Sequence, residues 1–266
     1  MVVMSRLITV VALLSTAGLM SSCATNPGAL DEVERLDVAI VDTHSFDDSS
    51  FTQGLEVEPE GTLLVGTGWE GQSRIYRSTV EGQELSSVDL DPEFFGEGLT
   101  RYEEDIWQLT WQDGVAMKRD ATTLAELERI SYEGEGWGLC SFDNELIMSD
   151  GTSQLRRLDP ESFNERERLS VTLGGEEVVG INELECLDDS IYANVFMTTD
   201  ILRIDAATGT VTAVIDASSL PNNAADDPDN VLNGIAHIPG TDRFLLSGKR
   251  WPDLYEVEIV ATRQAQ

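Results

Sequence analysis

A repeat constrains this chain more than any other feature. The tetrapeptides QGLE, EGLT, WGLC, NELE and NGIA begin at residues 53, 97, 137, 182 and 233. Each sets a polar or aromatic residue, in most cases followed by glycine, ahead of Leu or Ile. A second series trails each of them: LLVGTG, IWQLTW, LIMSDG, IYANVF and FLLSGK. A third series of β-rich segments, from SRIYRSTV to DLYEVEIV, comes after that. Short strands separated by turn residues, recurring at roughly 40–50 residues, are the pattern of a β-propeller blade. No long stretch carries a helical period. Five repeats predict an all-β, five-bladed β-propeller spanning residues 36–262 as a single domain. The fifth repeat ends near Val260 after three strands. The unassigned segment LDVAIVDTHSF (36–46) is therefore expected to supply the outer strand of the last blade, closing the ring and hiding an edge.

In a propeller the first strand of each blade lines the central channel. The first residues of the tetrapeptides, Gln53, Glu97, Trp137, Asn182 and Asn233, then converge at one channel mouth. The glycines after them let the inner strands crowd together. The ends of the second strands add Trp111, Phe196 and Lys249. Such residues can simply hold channel waters. Yet a carboxylate, an ammonium, side-chain amides and several aromatics together suit a small substrate bearing a cationic amine and an amide.

The first residues read as a targeting segment. MVVMSRLITVVALLSTAGLMSSCATN has Arg6, an apolar run and then small residues, too short and wrongly flanked for a spanning helix. LMSSC resembles the lipobox of bacterial lipoproteins. Residues 1–22 would then be removed and Cys23 diacylated, with 23–35 a tether; ordinary signal cleavage nearby is the alternative. Either way the chain is expected to be exported, as a periplasmic or outer-envelope protein. Acidic residues number 49 against 17 basic ones, a net charge of −32. Such a surface repels nucleic acid and anionic lipid, so membrane contact is expected only through the lipid anchor. Acidic, lysine-poor surfaces suit salty water, where screening weakens self-repulsion. With only Lys118 and Lys249 present, a lysine in a packed context is less easily dismissed as surface decoration. Cys140 and Cys186 are expected as buried small residues near adjacent inner strands, in a compartment that permits a disulfide. Two histidines far apart and no HExxH motif argue against a histidine-ligated catalytic zinc, and no cofactor is expected. The acidic loop NNAADDPDN (222–230) reads as a long connection, with a bound calcium as the sharper alternative.

The stretches FTQGL, GTG with GQS, FGEGLT, QLTW, GEGWGL, MSDG, INELE, YANV, NVLNGIAH and GKRWPDLYEV occur in order from about residue 37 to 258. Together they resemble the plant and bacterial type of glutaminyl-peptide cyclotransferase. That family is a five-bladed propeller that converts N-terminal glutamine of peptides to pyroglutamate and releases ammonia, without zinc. The resemblance implies peptides or proteins with N-terminal glutamine as partners. It places the catalytic glutamate at Glu97, with Lys249, Gln53 and Asn182 as donors to the tetrahedral oxygen. Phe51, Trp111, Trp137 and Phe196 would form the aromatic wall. Phe196 departs from the pattern, since the family usually shows tryptophan there. Trp107 and Trp251 are expected in packing and Asp150 in a turn. Two other readings compete: a non-catalytic envelope propeller that binds a partner at its channel mouth, and a calcium-dependent propeller hydrolase. The second needs several channel carboxylates, and only Glu97 is acidic at the first position. A monomer is expected.

Overall fold

The computed structural model describes residues 33–262. The expected signal segment, Cys23 and most of the expected tether lie outside them. Every regular element described is a β-strand. After β1 (Glu34–Ser45) come three four-stranded antiparallel sheets. The first holds β2 (Thr52–Val57), β3 (Leu63–Thr67), β4 (Arg74–Ser78) and β5 (Glu84–Asp89). The second holds β6 (Gly96–Tyr102), β7 (Asp105–Thr110), β8 (Val115–Asp120) and β9 (Glu126–Ser131). The third holds β10 (Leu139–Phe142), β11 (Glu145–Met148), β12 (Gln154–Leu158) and β13 (Glu165–Ser170). A small hairpin, β14 (Thr172–Leu173) and β15 (Glu176–Glu177), precedes β16 (Ile181–Leu187), β17 (Ser190–Val195), β18 (Asp200–Asp205) and β19 (Val211–Asp216). Last are β20 (Leu232–His237), β21 (Arg243–Gly248) and β22 (Asp253–Ala261).

These last strands and β1 form one eight-stranded sheet, in the order β16-β17-β18-β19-β1-β22-β21-β20. β1 runs antiparallel to β22 from Ser45 opposite Asp253 to Leu36 opposite Ala261, the place expected from the sequence. Its first residues, Glu34 to Asp37, also pair in parallel with β19. That second pairing was not foreseen, and it joins two four-strand groups that the repeat pattern separates.

Burial follows strand position within each sheet. β6 and β7 are almost wholly buried and β9 almost wholly exposed, with β8 between. The apolar faces of successive sheets pack on one another. Leu64 and Ile75 of the first sheet meet Leu99 and Ile106 of the second, and Trp107 and Leu109 of the second meet Leu139 and Leu146 of the third. Each such side chain contributes about 1.5–3 kcal/mol by leaving water. The first strands stand side by side: β2 beside β6 and β20, β10 beside β6 and β16, and β16 beside β20.

Glycine permits this crowding. A Cβ on Gly98 would lie 2.6 Å from the Trp137 carbonyl oxygen, and one on Gly138 would lie 2.1 Å from that of Asn182. The NELE repeat has Glu183 in place of the glycine. Its buried carboxylate accepts the backbone N–H groups of Leu55 (3.2 Å) and Ile235 (2.9 Å), tying β16 to two neighbouring strands. Cys140 of β10 and Cys186 of β16 form a disulfide, so they are more than the packed small residues the sequence suggested.

Candidate active site

Four first strands share one irregularity. The register slips between Thr52 and Gly54, Gly96 and Leu99, Ile181 and Leu184, and Leu232 and Ile235. Gln53, Glu97, Asn182 and Asn233 sit within these slips. A bulge re-aims the side chain it carries; Gln53, Glu97 and Asn182 face a cavity of about 240 Å³, whereas Asn233, expected at the same mouth, does not line it. The cavity brings together Gln53, Glu97, Asn182 and Lys249 with Phe51, Trp111, Trp137 and Phe196. All eight expected residues therefore share one space. A larger surface hollow, bordered by Arg101, Arg157 and Asp188, contains none of them.

Glu97 is 5% exposed. Gln53 Nε2 donates to its Oε1 at 3.0 Å, while Asn233 Nδ2 donates to Gln53 Oε1 at 3.1 Å and to the Thr52 carbonyl at 3.0 Å. Asn233 thus fixes which way the Gln53 amide points, from a layer behind the cavity wall. Burial drives the Glu97 carboxyl well above the ordinary glutamate value; the Lys249 ammonium pulls it partly back, and the charge of Glu135 pushes it further up. Lys249 is 6% exposed, and burial pulls its ammonium below the ordinary lysine value, against the opposing pull of Glu97 and Asp229. Its Nζ lies 4.9 Å from the Phe51 ring centre and 5.1 Å from that of Phe196. Phenylalanine at 196 therefore still supplies a face to the cation. The Asn182 side-chain amide makes no hydrogen bond to another described residue, which leaves it free for a ligand; its backbone carbonyl accepts from Ser149 Oγ at 2.7 Å.

The structure adds residues that the sequence reading missed. Trp69 and Phe95 line the cavity, with Phe95 edge-on to both Phe51 (6.1 Å) and Trp111 (5.6 Å). Phe95 adjoins the FGEGLT repeat, so its neighbourhood was visible. Asp229 also lines the cavity, from the 222–230 loop, which was read as a connection or a calcium site rather than as part of this cavity. Glu135 lies in the GEGWGL stretch but carried no role in the sequence reading. Its Oε2 accepts the indole N–H groups of both Trp111 and Trp137 at 2.9 Å, and its Oε1 accepts Gln112 Nε2 at 2.8 Å. Burial raises its carboxyl, but these hydrogen bonds outweigh that and hold it below the ordinary glutamate value. Both indole N–H groups are thereby occupied, and the polar side chains left lining the cavity are those of Gln53, Glu97, Asn182, Asp229 and Lys249. Trp107 and Trp251 are buried in packing, with their N–H groups on the Pro160 and Asn230 carbonyls. Asp150 turns the chain by accepting from Thr152, and also pairs with Arg156 at 2.8 Å.

A buried carboxylate of raised proton affinity, beside a buried ammonium and free amides in an aromatic cavity, can move a proton and stabilise an oxyanion. A family model described as glutamine cyclotransferase matches residues 10–259. The chain belongs to the glutamine cyclotransferase family. Among its relatives is a glutaminyl-peptide cyclotransferase of Arabidopsis thaliana, 31% identical over 237 residues, which cover 87% of this chain and 74% of that one. The crystal structure of Myxococcus xanthus glutaminyl cyclase superposes with a TM-score of 0.82 at 36% identity, covering 87% of this chain and all of that one. The family's shared fold thus extends over the sheets that carry the cavity.

Proposed function

We propose that this chain cyclises N-terminal glutamine of peptides to pyroglutamate, releasing ammonia, with Glu97 as the proton shuttle and no metal. The observation that carries the reading is Glu97 itself: buried, oriented by Gln53 and electrostatically opposite Lys249. The substrate's α-amine arrives protonated, with a pKa near 8. The Glu97 carboxylate takes that proton, and its raised proton affinity makes it the stronger base. The freed nitrogen attacks the side-chain amide carbon, forming the ring C–N bond. The Lys249 ammonium, the Asn182 amide and the second N–H of Gln53 stabilise the oxygen that becomes negative. As the tetrahedral carbon collapses, the bond to the amide nitrogen breaks. Glu97 returns its proton to that nitrogen, then takes the second hydrogen that the new ring nitrogen still carries and passes it on, so that the lactam keeps one N–H and the leaving group departs as ammonium. Phe51, Phe95, Trp111, Trp137 and Phe196 hold the folded-back substrate and exclude water.

The same reading treats the sheets as five blades, β1 being the outer strand of the last and residues 36–262 a single domain; the side-by-side order of the first strands supports it. It also makes the protein a monomer, exported and anchored through an acylated Cys23; Cys23→Ser would then leave it in the soluble fraction. The functional test is mass spectrometry of peptides that begin with Gln, Asn or N-acetyl-Gln. Loss of ammonia from the Gln peptide alone, unchanged by a chelator, supports the reading. No loss from any of them, or loss that stops with the chelator, contradicts it.

A further inference from the structure

The cavity is built from the first strands and the ends of the second strands, but a further layer stands above it. Two residues beyond the second strand of each four-strand group lie Trp69, Gln112, Asp150, Met197 and Arg250. Gln112 is committed to Glu135 and Asp150 to Arg156. The other three are uncommitted. All three hold left-handed backbone: φ is 101° at Trp69, 64° at Met197 and 57° at Arg250. Such conformations are costly for side chains of this size and collect where a ligand must be met. Trp69 is 37% exposed and Met197 56%. Because β16 neighbours β20 and β20 neighbours β2, the turns that carry Met197, Arg250 and Trp69 follow one another around the rim.

Arg250 is the unusual member. Most described arginines are ion-paired, as at Arg74, Arg77, Arg129, Arg157 and Arg243. The Arg250 side chain has neither an ion pair nor a hydrogen bond to another described residue, in a chain with 49 acidic residues. Its guanidinium stacks instead on aromatic rings, 4.4 Å from the centre of Trp69 and 4.9 Å from that of Phe51. Both rings also line the cavity. A stacked guanidinium keeps its in-plane N–H donors free, in the fork that matches a carboxylate.

We propose that Trp69, Met197 and Arg250 form the subsite for the residue that follows the N-terminal glutamine, and that Arg250 selects a carboxylate there. This rests on the cyclisation reading above, which places the glutamine in the cavity beneath. The field of a chain with net charge −32 opposes acidic ligands, so a preference for them has to arise from local contact.

The experiment compares kcat/KM for two peptide amides, one beginning Gln-Glu and the other Gln-Gln, which differ only in the second side chain's charge. At low ionic strength the wild type should favour Gln-Glu by about fivefold, the scale of an exposed ion pair. Arg250→Gln should bring the ratio to one or below, with near-ultraviolet circular dichroism confirming the fold. Arg250→Lys, which keeps the charge without the planar stack, should fall between. Arg35→Gln removes the same charge from β1 and should leave the wild-type ratio unchanged. A wild-type ratio of one, a preference that survives in Arg250→Gln, or an equal loss in Arg35→Gln overturns the subsite while the enzyme still cyclises both peptides. If the wild type cyclises neither, the cyclisation reading falls and the subsite with it.

Discussion

Glu97 has two charged influences of opposite sign, and they predict opposite shifts. The Lys249 ammonium lowers its proton affinity and the Glu135 carboxylate raises it. Free Glu97 must be ionised to act as base, so its titration sets an acid limb in the pH profile of kcat/KM. Lys249→Met removes the lowering charge, and the acid limb should move to higher pH while kcat falls about 10²-fold or more with the lost oxyanion donor. Glu135→Gln removes the raising charge, and the limb should move to lower pH. A limb that stays in place in both variants would show that Glu97 does not set it. Glu97 and Lys249 were legible because the repeat and the family motifs both mark them. The role of Glu135 was not, although GEGWGL contains it, because it depends on the distant Trp111 indole being brought to the carboxylate that Trp137 also meets.

At the scale of elements, the first strands carry the architecture. Glycines at 98 and 138 let them approach, bulges aim Gln53, Glu97 and Asn182, and the disulfide ties β10 to β16. Reducing that disulfide should cost about 2–4 kcal/mol of stability, read as a lower Tm with a reductant or in Cys140→Ser/Cys186→Ser. An unchanged Tm would show that packing alone holds these strands. Strand order was readable from the repeat, since alternation and turn residues are local signals. The bulges were not, because a register slip is set by the partner strand. Trp69 was missed for a similar reason: it follows GTG at a turn whose left-handed backbone no local rule requires of tryptophan. The pairing of β1 with β19 escaped because it joins residues far apart in sequence.

Charge dominates at the scale of the whole molecule. Buried Glu183 lies near the half-buried Glu56 and Glu185, and desolvation raises all three carboxyls, Glu56 to about 7. A carboxyl whose folded value exceeds its unfolded value contributes stability that is complete below the unfolded value, near 4.5, and is lost as pH rises through the folded one. Asp47, Asp120 and Asp205 are held below their ordinary values and act oppositely, losing stability as pH falls below about 4. The Tm should therefore be higher near pH 5.5 than near pH 8, and Glu56→Gln should narrow the difference. Added salt should raise the Tm at pH 8 by screening the net charge of −32. Equal Tm values at both pH values and all salt concentrations would contradict this. The charge itself was plain in the sequence, whereas the grouping of these carboxylates required the packed first strands.

The measurement that bears most directly on the central claim is ammonia release from a glutamine-leading peptide by the wild type and by Glu97→Gln. Glutamine at 97 can still accept from Gln53 and fills the same space, but it cannot carry the proton. Turnover should fall about 10³-fold, within the range for a lost general acid–base, with near-ultraviolet circular dichroism unchanged. A correctly folded Glu97→Gln protein that releases ammonia at close to the wild-type rate would contradict the account.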